Sequence, residues 1–239
     1  MPALIYWIPL ATTVAAMAFA AAVLLRYRER QSGPHLLWWG FGLLIYGLGT
    51  LTESLNTLFG WNEVVFKAWY ISGALCGGAP LAQGTVYLLM RRRVANGLAL
   101  ALVSAIVIAA VFVIASPIDH ALIDPHRLSG RVLGWQQIRL ASPFINTYAA
   151  TFLIGGAIVS ALRYRSDPAR HHRFIGNILI ALGALLPGIG GTFTRFGHVE
   201  VLYITEFVGL LIIWSGYRRN VSEHPTTTAQ PSSLASAMS

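Results

Sequence analysis

The chain has 239 residues, 55% hydrophobic and 11% charged, and its 17 basic residues outnumber nine acidic ones for a net charge of +8. Soluble domains average about 25% charged residues, so the composition excludes an ordinary water-soluble fold and leaves no length for a separate soluble catalytic domain. The single cysteine, Cys76, excludes an internal disulfide and reads as a small buried helix residue.

Seven apolar stretches follow in chain order: Ala3–Leu25, His35–Leu58, Lys67–Met90, Leu98–Ala115, Ser142–Leu162, Phe174–Thr194 and Val199–Tyr217. About 20 apolar residues cross the hydrocarbon core as a helix, and lipid offers backbone groups no partners, so helix is the form that survives there. The pattern predicts an all-α integral membrane protein, a seven-transmembrane helix bundle over residues 1–219. The first stretch has no basic residue before it and is too long for a signal-peptide core, so it reads as a retained helix. Residues 220–239, rich in Thr, Ser, Ala and Pro, predict a disordered tail.

Charge sets the orientation. Arg26, Arg28 and Arg30, then Arg91 to Arg93, then Arg163, Arg165, Arg170 and Arg173, and finally Arg218 and Arg219 place twelve of the 17 basic residues on one side. Lys67, Arg127, Arg131, Arg139 and Arg195 fall on the other. The richer side is cytoplasmic by the positive-inside rule, so the N-terminus is expected outside and the tail inside. The same juxtamembrane placement explains the high isoelectric point by contact with anionic lipid rather than nucleic acid.

An internal echo runs through the spans. Leu25-Arg26-Tyr27-Arg28 returns as Leu162-Arg163-Tyr164-Arg165, and His35 returns as His172, both at an offset of 137. Tyr70-Ile71-Ser72 returns as Tyr203-Ile204-Thr205 at an offset of 133. Two readings stand: a 3+1+3 parallel repeat joined by the fourth span, with sites between the halves, or a coincidence of interface residues imposed by topology.

A series of weak motifs carries a resemblance. Glu53 lies late in the second span, followed by Lys67, Trp69-Tyr70, Gly73, Pro80 and Tyr87, then Ala115-Ser116-Pro117-Ile118-Asp119-His120, then Leu185-Leu186-Pro187. From about His35 to Arg219 the order resembles the seven-transmembrane N-terminal sensor region of bacterial histidine kinases. The resemblance implies a location in a bacterial plasma (inner) membrane. In that family an output domain usually follows the seventh helix; here a tail follows, so the resemblance implies a sensor module that signals through a partner protein. The layout is also similar to that of seven-helix transporters and opsins. The only lysine is Lys67, so the seventh span has no amine for retinal, and no Pro-Gln pair occurs.

Polar residues inside spans are rare and usually face the bundle interior or a cavity. Glu53 and Glu206 each lie a few residues inside the outer ends of their spans, roughly 8–11 Å deep at about 1.5 Å per residue. Asn56 shares a helix face with Glu53, and Tyr203 with Glu206, while Tyr70 and Asn146 lie at similar depth. Together with Trp69 and Phe207 these residues predict a ligand-binding cavity in the outer half. The competing reading pairs Glu53 with Lys67, and Glu206 with Arg195 or His198, as structural locks.

The remaining features get plainer readings. Gln83, Asn177 and Trp214 lie deeper, as a cavity floor or as helix–helix contacts. Pro187-Gly188-Ile189-Gly190-Gly191 lacks the Lys-Ser/Thr ending of a phosphate loop and reads as a kink or packing seam. Asp119, His120, Asp124 and His126 crowd the outer loop without a recognised metal spacing, and His171-His172 read as headgroup anchors. No catalytic residue, metal or cofactor is expected. The expected function is a sensor or receptor-like module that binds a small or amphipathic ligand in the outer cavity. The alternatives are a small-solute transporter using the same cavity and an accessory subunit of a larger membrane complex. Membrane lipid and a signalling protein are the expected partners, with homo-oligomers also open.

Overall fold

Each apolar stretch folds as helix in the computed structural model, which describes residues 4–30, 33–124 and 127–222. The elements are α1 (Ile8–Arg30), α2 (Pro34–Phe59), α3 (Glu63–Trp69), a π-helical stretch Tyr70–Cys76, α4 (Ala79–Leu89), α5 (Arg92–Ala115), α6 (Ala141–Ala149), a second π-helical stretch Ala150–Gly155, α7 (Gly156–Tyr164), α8 (His171–Phe193) and α9 (Val199–Val221). Five segments are long and apolar enough to cross a membrane: 5–30, 92–115, 136–164, 168–196 and 199–221. The protein is therefore an all-α multi-pass membrane protein. The last helix ends at Val221, two residues past the expected domain boundary; most of the expected tail, residues 223–239, lies outside the described residues, as does His126.

Two of the seven stretches fall outside that group for physical reasons. α2 is long enough, but its last turns carry Thr50, Thr52, Glu53, Ser54 and Asn56, all buried. The third stretch is broken. Gly77 takes φ 37 and ψ −116, a conformation that only glycine adopts at low cost, and helix restarts at α4 with Pro80 in its first turn, where the missing N–H is no loss. A carbonyl left open before the break, Ala74 O, accepts from Asn146 Nδ2 at 3.1 Å. A Cβ at Gly77 would stand 3.0 Å from the Gly73 carbonyl oxygen, whereas one at Gly78 meets only ordinary contacts. Gly77→Ala should therefore cost about 1–3 kcal/mol and Gly78→Ala much less, as measured by thermal unfolding in detergent.

Helices pack in antiparallel pairs. Between α1 and α2, Thr13 Oγ1 meets Thr50 Oγ1 at 2.8 Å, and Gly40 and Gly47 receive Leu24 and Met17. Between α8 and α9 the contact is backbone on backbone. Gly176 and Gly183, seven apart, lie against Gly216 and Gly209, also seven apart, and Gly190 lies against Leu202. Small residues let helices approach closely where lipid gives no hydrophobic drive. Of the glycine run after Pro187, only Gly190 joins this seam; Gly188 and Gly191 face open space. α8 runs unbroken through Pro187.

α4 is the most enclosed element, buried from Ala79 to Val86. Its Gln83 donates to Ala95 O at 2.9 Å and accepts from the Tyr148 hydroxyl, tying α4 to α5 and α6. Gln83 is thus a helix–helix tie. α5 lies at the edge and leaves Leu100, Val107, Ile108 and Ile114 more than half exposed, as a lipid-facing helix does. The two π-helical stretches fall in the third and fifth apolar stretches, while α9 is unbroken, so the sequence echo has no matching pair of breaks.

Candidate ligand-binding cavity

The loop between α5 and α6 is folded down onto the bundle. Asp119 N donates to Val132 O and Gly134 N to Pro117 O, each at 2.8 Å, and an antiparallel bridge joins Ile118 to Leu133. Val132 and Leu133 are buried among Phe66, Tyr70 and Ile138. Gly130 is the closest approach: a Cβ there would stand 2.6 Å from the Tyr70 ring. Asp119, His120 and Asp124 of the loop have structural partners. Asp119 caps Ala121 N, Asp124 lies 3.9 Å from Arg127, and His120 packs edge-on to Trp61. Trp135 lies on the outside against Phe112.

Beneath this loop is a cavity of about 410 Å³, walled by Glu53, Trp69 and Tyr203 from the bundle and by Arg127, Arg131, Arg139 and Arg195 from the loops. The size is within the range of small-molecule sites. Arg127 is a fixed part of the wall, its Nη1 donating to Thr194 O at 3.1 Å, and Arg139 leans on Gln136 at 2.7 Å. Among the described residues, the guanidinium groups of Arg131 and Arg195 make no hydrogen bond or ion pair. Glu53 is the one carboxylate in the described wall of the cavity.

Glu53 is 5% exposed. Its Oε1 accepts from Trp69 Nε1 at 3.0 Å, and its carboxyl lies against that of Glu206 across α2 and α9. Oε2 of each glutamate is enclosed, and the two carboxyls are hydrogen-bonded to each other. Tyr46 crosses just below, its hydroxyl donating to Glu206 O at 3.1 Å. The structural locks weighed from sequence are not made: Lys67 pairs with Glu63 at 2.7 Å and donates to Ile114 O at 2.9 Å.

The residues expected to form the polar wall divide. Glu53, Trp69 and Tyr203 line the cavity, and Glu206 backs Glu53. Asn56 is buried one turn further on, its Oδ1 without a donor, outside the wall. Tyr70 supports the loop through Ser142 Oγ at 3.2 Å, and Asn146 is used at the Gly77 break. Phe207 does not line the cavity. Sequence reasoning missed the four arginines as a cavity lining: they entered on the minority side of the charge count, and Arg195 also as a candidate structural partner of Glu206. Their spacing was the available signal: Arg127 and Arg131 lie four apart in one loop, with Arg195 in the only turn between α8 and α9.

A second cavity, about 520 Å³, lies towards the arginine-rich end, bordered by Leu43, Leu81 and Ile213. Trp214, placed near it from sequence, stacks on Phe19 at 5.3 Å, and Asn177 accepts from Asn220 at 3.2 Å. No protein-family model matches the chain, and no curated protein matches it.

Proposed function

We propose that this protein is a seven-span membrane receptor, N-terminus outside and arginine-rich end cytoplasmic, that binds a small solute in the cavity beneath the α5–α6 loop. The solute carries an anionic group for the arginines and a hydrogen-bond donor for Glu53. One observation carries this reading: the guanidinium groups of Arg131 and Arg195, without a hydrogen bond or ion pair among the described residues, border a cavity whose described wall holds one carboxyl group, that of Glu53. Guanidinium groups match carboxylate and phosphate in two-point hydrogen bonds, and the Glu53 carboxyl can accept from a donor at the other end of the solute. Amino acids and hydroxy acids have both ends; simple carboxylates have one. Binding at the cavity changes the packing of α2 and α9 only if the solute prefers one of two arrangements. The exposed Arg91, Arg92 and Arg93 then present that change to a partner protein.

A ligand that binds only the folded form raises the unfolding temperature by mass action. Thermal unfolding in detergent against amino acids, hydroxy acids, dicarboxylates and simple carboxylates tests the reading. Stabilisation by two-ended solutes, lost in Arg131→Ala and Arg195→Ala, supports it; stabilisation unchanged in both variants removes the site.

One observation favours transport as a second reading. The Gly77 break lies between Trp69, which borders the first cavity, and Leu81, which borders the second. Broken helices at the membrane midplane are a transporter device. Uptake of the stabilising solute into proteoliposomes separates the two readings: accumulation means transport, and binding without accumulation means reception.

A further inference from the structure

The second cavity has a chemistry of its own. Its interior is apolar, lined by Phe19, Leu36, Leu43, Leu81, Leu153 and Ile213, contributed by both halves of the chain. Its rim is cationic, with Arg26, Arg163 and Arg173. Among the described residues no acidic side chain lines it. Arg173 is held over the Tyr164 ring at 5.6 Å, so that one cation is already placed. The Tyr217 hydroxyl, on a residue 8% exposed in the wall, has no hydrogen-bond partner among the described residues. Leu88, at the same rim, is 51% exposed, so the cavity reaches the surface of the bundle where lipid lies.

We propose that this cavity binds one acidic phospholipid from the leaflet at the arginine-rich end. The phosphate sits on Arg26, Arg163 and Arg173 and accepts from the Tyr217 hydroxyl. An acyl chain fills the apolar space between the halves. Charge complementarity fixes the sign of the head, since three arginines without a carboxylate among the described lining hold an anion and repel a cation. The apolar interior excludes free phosphate as the occupant, because an inorganic ion leaves that surface empty. The inference is independent of what occupies the first cavity.

The test uses the full chain purified in mild detergent, offered phosphatidylglycerol, phosphatidylcholine or inorganic phosphate, with bound lipid counted by native mass spectrometry and stability followed by thermal unfolding. One phosphatidylglycerol should be retained per chain in preference to phosphatidylcholine, and it should raise the unfolding temperature. Arg163→Ala with Arg173→Ala should weaken retention roughly 30-fold, at about a tenfold loss for each 1.4 kcal/mol. Ala157→Phe fills the cavity while leaving every arginine in place, and should abolish retention in a protein that still elutes as a folded species. Arg28→Ala with Arg219→Ala, exposed arginines at the same end but outside the cavity, should leave it unchanged. Equal retention of the two lipids, retention that survives Ala157→Phe, or equal loss in the Arg28 and Arg219 control would overturn the proposal. So would stabilisation by inorganic phosphate equal to that by phosphatidylglycerol.

Discussion

Replacing Gly183 by alanine should destabilise the protein by about 1–3 kcal/mol, and replacing it by leucine should prevent the folded bundle from assembling. The expectation rests on backbone, which cannot move aside as a side chain does. A Cβ on Gly183 would stand 2.6 Å from the Gly209 carbonyl oxygen and 2.9 Å from the Ile213 amide nitrogen, and a Cβ on Gly209 would stand 2.6 Å from the Gly183 carbonyl oxygen. The two helices can accept the methyl group only by separating, which strips the close Cα–H to carbonyl contacts along the whole seam. Gly188 lies one turn away on the same helix with nothing within 4 Å. Gly188→Ala should be neutral or stabilising by up to about 1 kcal/mol, because alanine is the better helix former. Thermal unfolding of the two variants side by side decides the matter. Equal effects at the two positions would mean that the seam does not hold α8 to α9.

Glu53→Gln should leave the fold intact and remove solute binding, whereas Glu53→Leu should damage both. Glutamine keeps an oxygen to accept from Trp69 Nε1, and its amide can donate to the Glu206 carboxyl in place of the hydrogen bond the two carboxyls share. Leucine leaves Trp69 Nε1 without its acceptor and the Glu206 carboxyl without a neighbour, a cost of about 1–3 kcal/mol for each orphaned group. For binding, both changes remove the carboxylate that receives the donor end of the solute. Losing one member of a buried charged contact costs about 2–5 kcal/mol, at least 30-fold in affinity. Unfolding temperatures measured with and without the stabilising solute separate the two effects. A glutamine variant that binds as well as the native protein would make Glu53 a structural residue, and the cavity would then owe its selectivity to the arginines alone.

Much of this was legible because lipid acts as a blunt selector. A helix that must face hydrocarbon announces itself as an apolar run, and the runs read from sequence are helical, the third with a break at Gly77. The shared depth of Glu53 and Glu206 was legible for the same reason, since position along a helix converts directly to depth, and the two carboxyls do meet. The Gly77 break was not legible: a Gly-Gly pair in a membrane helix is equally suited to close packing, and only the φ of Gly77 distinguishes the two. The arginine lining was missed because a charge count sums over a loop, while a site depends on which way that loop folds. Gly130 on the Tyr70 ring turns it inward, a tertiary contact with no local signature. Asn146 was placed at the right depth but serves a carbonyl of the third passage, because a broken helix makes the more urgent demand.

That demand sets an order of synthesis. The peptide carbonyl of Ala74 has no donor within its own passage, and hydrocarbon exacts several kcal/mol for each backbone group left in that state. Its donor is carried by Asn146, some 72 residues further along the chain. When the third passage leaves the ribosome its partner has not been made, so it cannot rest in the bilayer as an independent helix. Until α6 arrives, it must stay in the insertion machinery or hold water at the gap. Biogenesis of this protein should therefore wait on its fifth apolar stretch, and a chain truncated before Asn146 should fail quality control even though four of its apolar stretches are complete.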